Sequence, residues 1–140
     1  MDSINHIISS DKEKINIPLV HSILTNSYWA KGRTLEQVKK SIDNSICFGL
    51  YHNDEQIGFA RIITDKVVFA YIMDVFIIKV ERGKGYSKEL MEYILSQSDL
   101  QGIKTWFLAT KDAHGLYEQF GFKTVTETNK WMKKQTRGNQ

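Results

Sequence analysis

The chain has 140 residues, the size of a single domain that can bury enough surface to hold together without staples. Hydrophobic residues make up 41% and charged residues 25%, a globular balance that excludes fibrous and disordered classes. One cysteine, Cys47, and four scattered histidines give no zinc-ligand spacing; a net charge of +3 with interspersed signs gives no case for nucleic acid, and no apolar run reaches the ~18 residues of a membrane span.

With no leader pattern at Met1 to Ser10, a reducing, cytoplasmic location is expected. His6 to Ile17 mixes apolar and charged residues and reads as an opening strand broken by a turn near Ser10 and Asp11. Pro18 fits the first turn of a helix, and Leu19, Ile23 and Leu24 repeat at helical spacing behind it, which predicts a helix to about Tyr28. Thr34 and Gln37 form a capping-box pair for a second helix, with Leu35, Val38 and Ile42 on one face, ending near Asn44. Tyr28 and Trp29 fall in the loop between these helices.

Ile46 to Tyr51 and Gln56 to Thr64 favour strands, joined by a hairpin at His52 to Glu55. Val67 to Ile78 is the most apolar stretch, with Asp74 its only charge, and reads as a central strand covered on both faces. Leu90, Met91, Ile94 and Leu95 predict a third helix running through Ser98. Thr105 to Ala109 reads as a strand, Asp112 to Gln119 as a short helix stopped by Gly121, and Phe122 to Met132 as a closing strand. The fold class is therefore α/β or α+β in one domain over 1–140: a mixed, mostly antiparallel sheet with helices on both faces and a right-handed parallel crossover from the central strand to Thr105.

Between the most apolar strand and the third helix lies Arg82, Gly83, Lys84, Gly85, Tyr86, Ser87. At a helix N-terminus, unpaired N–H groups and the helix dipole stabilise a phosphate. The glycines let the backbone approach an anion, and Arg82 and Lys84 add positive charge. A tight turn with a basic rim is the bland alternative. The spacing matches neither a P-loop nor a dinucleotide fingerprint.

Two motifs here resemble the GNAT superfamily of N-acetyltransferases. Arg82, Gly85 and Ser87 occupy the acetyl-CoA signature (Arg or Gln, two residues, Gly, one residue, Gly or Ala), with Ser87 one hydroxyl away from the pattern. Ala113 to Phe122 is similar to the family's Ala-x-x-Leu-Tyr-x-x-x-Gly-Phe. The resemblance covers the whole chain and implies acetyl-CoA as co-substrate, with Val75, Phe76 and Ile77 pairing to the pantetheine amide like an added strand. It also implies Tyr117 as general acid to the departing thiolate, Ala113 near the cofactor, and Thr110 where many members carry a pantetheine-holding asparagine. A homodimer through the last strand is a further expectation of the resemblance.

Acetyl transfer to an amine needs a neutral nucleophile, because an alkylamine with a pKa of about 10.4 is protonated at neutral pH. Asp74 is the leading base, since a carboxylate in an apolar strand is costly without a purpose or a partner; a buried Asp held by backbone or arginine is the equal alternative. Asp65 is the fallback, as base or as anchor for a cationic substrate, and a water chain is a third route. An N–H near Phe76 is expected to polarise the thioester oxygen. Tyr28, Trp29, Asp65 and Tyr71, with Arg61 and Phe69, are candidates for the acceptor pocket, while Trp106, Phe107 and Trp131 are assigned to core packing. The function expected is N-acetylation of a small-molecule or peptide amine in a ternary complex; the alternative is an acyl-CoA-binding module without turnover.

Overall fold

A computed structural model describes residues 6–136. The opening strand β1 is His6–Ser9. Helix α1 is Ile17–Thr25, where the Asn16 side chain accepts the Leu19 N–H at 3.1 Å and Pro18 sits in the first turn. It stops three residues before Tyr28, because the Ser27 hydroxyl donates to the Leu24 carbonyl and accepts the Ala30 N–H, folding the chain into a compact loop. Helix α2 is Leu35–Asp43, and the Thr34–Gln37 capping box forms with both reciprocal bonds, at 2.8 and 3.1 Å.

Strands β2 (Ile46–His52) and β3 (Glu55–Thr64) pair through a hairpin whose Asn53 and Asp54 take φ of 51° and 69°. Both left-handed residues match a tight hairpin turn, whose twist suits the flanking strands. Strand β4 is Phe69–Ile77, helix α3 is Tyr86–Leu95, strand β5 is Thr105–Leu108 and helix α4 is His114–Glu118. Sheet order is β1-β2-β3-β4-β5, antiparallel except for the parallel β4–β5 pair. The mixed sheet and the crossover through α3 are those the sequence implies.

Helices flank both faces. Leu90, Met91 and Ile94 of α3 pack with Phe48, Ala60, Ile62, Ala70 and Ile72 on one face. Val20, Leu24, Val38 and Ile42 of α1 and α2 pack with Cys47, Phe59 and Phe76 on the other. Burial of such side chains contributes roughly 25 cal/mol per Å² of apolar surface, so these two layers hold the sheet rigid under the site.

Three expectations are corrected. The most shielded strand is β3, not β4: Val67 and Val68 belong to the preceding turn, 65% and 54% exposed, and Phe69 opens onto an uncovered part of the sheet. The third helix ends at Leu95, and Ser98–Leu100 forms a separate 3₁₀ turn. Phe122 to Met132 forms no strand; it runs over the surface with a 3₁₀ turn at Thr128–Lys130, and Trp131 is 55% exposed rather than in the core. Its alternation of Thr and Val with polar residues fits a sheet edge, yet only Phe122 reaches the main core. The strand on which the homodimer expectation rests is therefore absent among the described residues.

Candidate active site

The site is built by one irregularity in β4. Between Phe59 and Arg61 of the partner strand the register shifts, and Asp74 adopts φ of 58°. Asp tolerates the left-handed region better than most side chains, which suits a β-bulge. The extra residue inverts the facing of the strand: Ala70 and Ile72 point to the α3 core, whereas Phe76, of the same parity, points to α1 and α2. Pairing of β4 with β5 ends at Ile72 and Leu108, while β4 runs on to Ile77.

Beyond that last pair lies a cleft of about 970 Å³, walled by Met73 to Ile77 on one side and Leu108 to Ala113 on the other. Tyr28, Trp29 and Tyr71 line one end, Arg82 and Ser87 the other, and Tyr117 lies between. The Ile78 N–H bonds to the Ile57 carbonyl at 2.8 Å. By the alternation of an antiparallel ladder, this turns the backbone of Ile77, and two residues back that of Val75, away from β3 and into the cleft, whereas Phe76 faces β3. The free donors and acceptors are thus on Val75 and Ile77, which corrects the placement of an N–H donor at Phe76.

At the phosphate end, Gly83 and Gly85 take φ of 81° and 86°, so the turn curls its amides inward ahead of α3. Glu89 is the residue whose N–H closes the first turn, onto the Gly85 carbonyl at 3.2 Å, leaving the preceding N–H groups of the helix available. A Cβ built on Gly83 or Gly85 meets nothing within 4 Å, so the cradle is open. Arg82 folds back and donates Nε–H to the Ile77 carbonyl at 2.9 Å, bracing turn to strand. Lys84 is bonded to Glu81 at 2.9 Å, which raises its ammonium pKa and offsets part of its charge. Inward amides, flanking cations and open space fit a diphosphate.

These features have counterparts in known proteins. A GNAT acetyltransferase domain model matches residues 43–124, which contain the bulged strand, the glycine turn and Tyr117. The chain belongs to the GNAT acetyltransferase family. A crystal structure from Xanthomonas campestris pv. campestris, described as an acetyltransferase of the GNAT family, superposes with a TM-score of 0.90 at 40% identity over 94% of both chains. An uncharacterized ycf52-like N-acetyltransferase of Prochlorococcus marinus is 34% identical over 69% of this chain and 56% of its own. A Clostridium acetobutylicum acetyltransferase crystallised with acetyl-CoA shares the fold, with a TM-score of 0.65 at 16% identity over 95% and 96% of the two chains.

Within this GNAT scaffold, Tyr117 is 8% exposed, and burial raises its phenol pKa, so the hydroxyl stays protonated well into the alkaline range. Thr110 accepts the Ala113 N–H at 3.0 Å, shaping the entry into α4. Asp74 is 3% exposed: one oxygen accepts from the Trp29 indole N–H at 3.0 Å, the other from Arg33 at 2.7 Å and Arg61 Nε at 2.9 Å. Of its two readings, base or buried partner of arginine, this geometry matches the second. Asp65 lies at the β3–β4 turn, outside the cleft, where Oδ1 accepts the N–H groups of Val67, Val68 and Phe69 and these bonds lower its pKa.

Sequence reasoning missed Arg33 and Lys111. A buried carboxylate demands a cation, so a search for one would have pointed to the nearby loop arginine. Lys111, whose ammonium stands 5.1 Å over the Tyr28 ring, carries no sequence signal.

Proposed function

We propose that this GNAT protein is an acetyl-CoA-dependent N-acetyltransferase that moves the acetyl group directly to a primary amine within a ternary complex. The observation that carries this reading is the divergence of β4 from β5 at the Asp74 bulge, between an open amide cradle and a buried tyrosine. Acetyl-CoA, when bound, supplies a thioester whose carbonyl carbon is the electrophile.

In this reading the amides of Gly83 to Ser87, with Arg82, hold the diphosphate, and the free backbone groups of Val75 and Ile77 bind the pantetheine arm as an added strand. A backbone N–H of that same stretch polarises the thioester oxygen; such a donor contributes on the order of 3 kcal/mol in other acyl transfers. Tyr117, kept neutral by burial, donates its proton to the sulfur as it leaves. Asp74 acts as a positioning residue that ties the Trp29–Arg33 loop to the bulge. The acceptor enters from the end walled by Tyr28, Trp29 and Tyr71.

Titration calorimetry with coenzyme A, followed by thiol release from acetyl-CoA across a panel of primary amines, tests this function. Saturable coenzyme A binding with amine-dependent release is expected. Binding without turnover on any amine assigns the chain to acyl-CoA capture alone, and no binding removes the cradle from the argument.

A further inference from the structure

The sheet face that carries α1 and α2 is only partly covered. Upstream of the bulge, the odd-numbered residues of β4 point to this face, opposite Ala70 and Ile72 in the α3 core. The register then sets Ile63, Tyr71 and Phe107 side by side across three strands. Phe69 and Trp131 extend the row, their rings 5.4 and 4.6 Å from that of Phe107. Ile63, Phe69 and Trp131 are 41%, 38% and 55% exposed, a contiguous apolar surface of the kind that marks a binding site.

This row runs into the cleft, because Tyr71 belongs to both. Where the two meet stand Tyr28 and Trp29, edge to face at 5.2 Å, with the Trp29 indole pinned by Asp74. The Lys111 ammonium over the Tyr28 ring shows that a primary alkylammonium is accommodated at this junction. The chain's own ends offer no apolar cover: Arg137 to Gln140 reads Arg-Gly-Asn-Gln, and Met1 to Asn5 precede β1, at the sheet edge opposite β5. A stable dimer buries about 800 Å² on each partner, more than one row of five side chains presents.

We infer that the acceptor is an arylalkylamine, its ring lying on the Phe69–Tyr71–Phe107–Trp131 row and its amine passing Tyr28 into the cleft. An aromatic body gains ring-to-ring geometry beyond the area it buries, which an alkyl chain does not. The assignment rests on the N-acetyltransferase reading above. The amine nitrogen bonds to the thioester carbonyl carbon, the carbon–sulfur bond breaks, and the sulfur leaves as coenzyme A thiol. Its proton comes from Tyr117, and the nitrogen's surplus proton goes to solvent, leaving an N-acetyl arylalkylamine.

The test compares phenethylamine, propylamine and cadaverine as acceptors by thiol release, with coenzyme A binding measured alongside. Phenethylamine is expected to exceed propylamine in kcat/KM by at least about tenfold, about 1.4 kcal/mol. Phe107→Ala and, independently, Trp131→Ala are expected to narrow that gap mainly by raising the KM for phenethylamine. Equal kcat/KM for all three amines, with coenzyme A bound and turnover present, overturns the inference and leaves the acetyltransferase reading standing. Binding without turnover on any amine overturns both. Sedimentation that shows a dimer dissociated by Trp131→Ala, with no change in amine preference, gives the face to a second copy and overturns it as well.

Discussion

Tyr117 reaches the cleft from a helix only five residues long, His114–Glu118, pinned at its start by Thr110 and at its end by the Phe122 N–H on the Tyr117 carbonyl at 3.3 Å. Its ring packs edge to face on Phe122 at 5.9 Å, so the hydroxyl is aimed by packing. Tyr117→Phe keeps that packing and removes only the proton. Turnover is expected to fall about 100-fold, the lower range for a lost general acid, with coenzyme A affinity unchanged by calorimetry. Because burial raises the phenol pKa, any alkaline fall in the wild-type rate below about pH 10, the usual tyrosine value, must belong to another group. Asp74 calls for a different measurement. Asp74→Ala leaves two guanidiniums, 16% and 8% exposed, facing each other without their shared carboxylate. A loss of about 3–5 kcal/mol in urea unfolding is expected, the scale of a broken buried pair. Asp74→Asn separates the roles: a base would take the acidic limb of the pH–rate profile with it, whereas a positioning residue raises the acceptor KM and leaves that limb in place. Sequence marked Asp74 as exceptional because a lone charge in an apolar run is conspicuous. It could not choose between the roles, because Trp29, Arg33 and Arg61 meet it only after folding brings positions up to 45 residues apart together.

At the scale of elements, the turn before α3 is the part most legible in sequence, because its demands are local: two residues at φ above 80° and a helix start. Glycine satisfies both, and the spacing of Arg82, Gly85 and Ser87 lies within a single stretch of chain. Gly85→Val tests the cradle. A Cβ there meets no atom within 4 Å, so no overpacking arises, and the folding cost is the left-handed strain of about 1–2 kcal/mol. Coenzyme A binding is expected to disappear in calorimetry while the thermal transition stays cooperative; retained affinity would place the diphosphate elsewhere. The last segment was less legible for a complementary reason. Lys123 to Met132 has strand-like composition, but strand formation depends on a partner edge rather than on propensity. Here Trp131 is held by one aromatic contact to Phe107 while its neighbours face water. A similar failure of local signal placed β4 at the centre of the sheet: its apolar content reflects an exposed aromatic row as much as burial, and composition does not distinguish the two.

For the molecule as a whole, two buried proton donors on β2 set how the fold responds to alkali. Cys47 is 1% exposed, and desolvation pushes its thiol up to about 11 from an ordinary value near 9; Tyr51, 4% exposed, is pushed up to about 12 from 10 for the same reason. Both side chains sit in the strand that joins β1 to β3, so their ionisation is coupled to opening of the sheet. Above pH 9 the unfolded chain releases the Cys47 proton while the folded chain keeps it. The unfolded state then binds fewer protons, and stability falls with rising pH. The contribution of Cys47 is intact below about pH 9 and lost by about pH 11, a total of about 2–3 kcal/mol at 1.36 kcal/mol per pKa unit. Tyr51 extends the decline from about 10 to 12. Urea unfolding between pH 7 and pH 10 is therefore expected to show a downturn that begins near pH 9. Cys47→Ala lowers stability at every pH through the small cavity it leaves, yet it removes the ionisable group, so its downturn is expected to begin near pH 10 instead. An unchanged onset in that variant would mean that the thiol titrates alike in the folded and unfolded chain, and that water reaches the interface between β2 and α2.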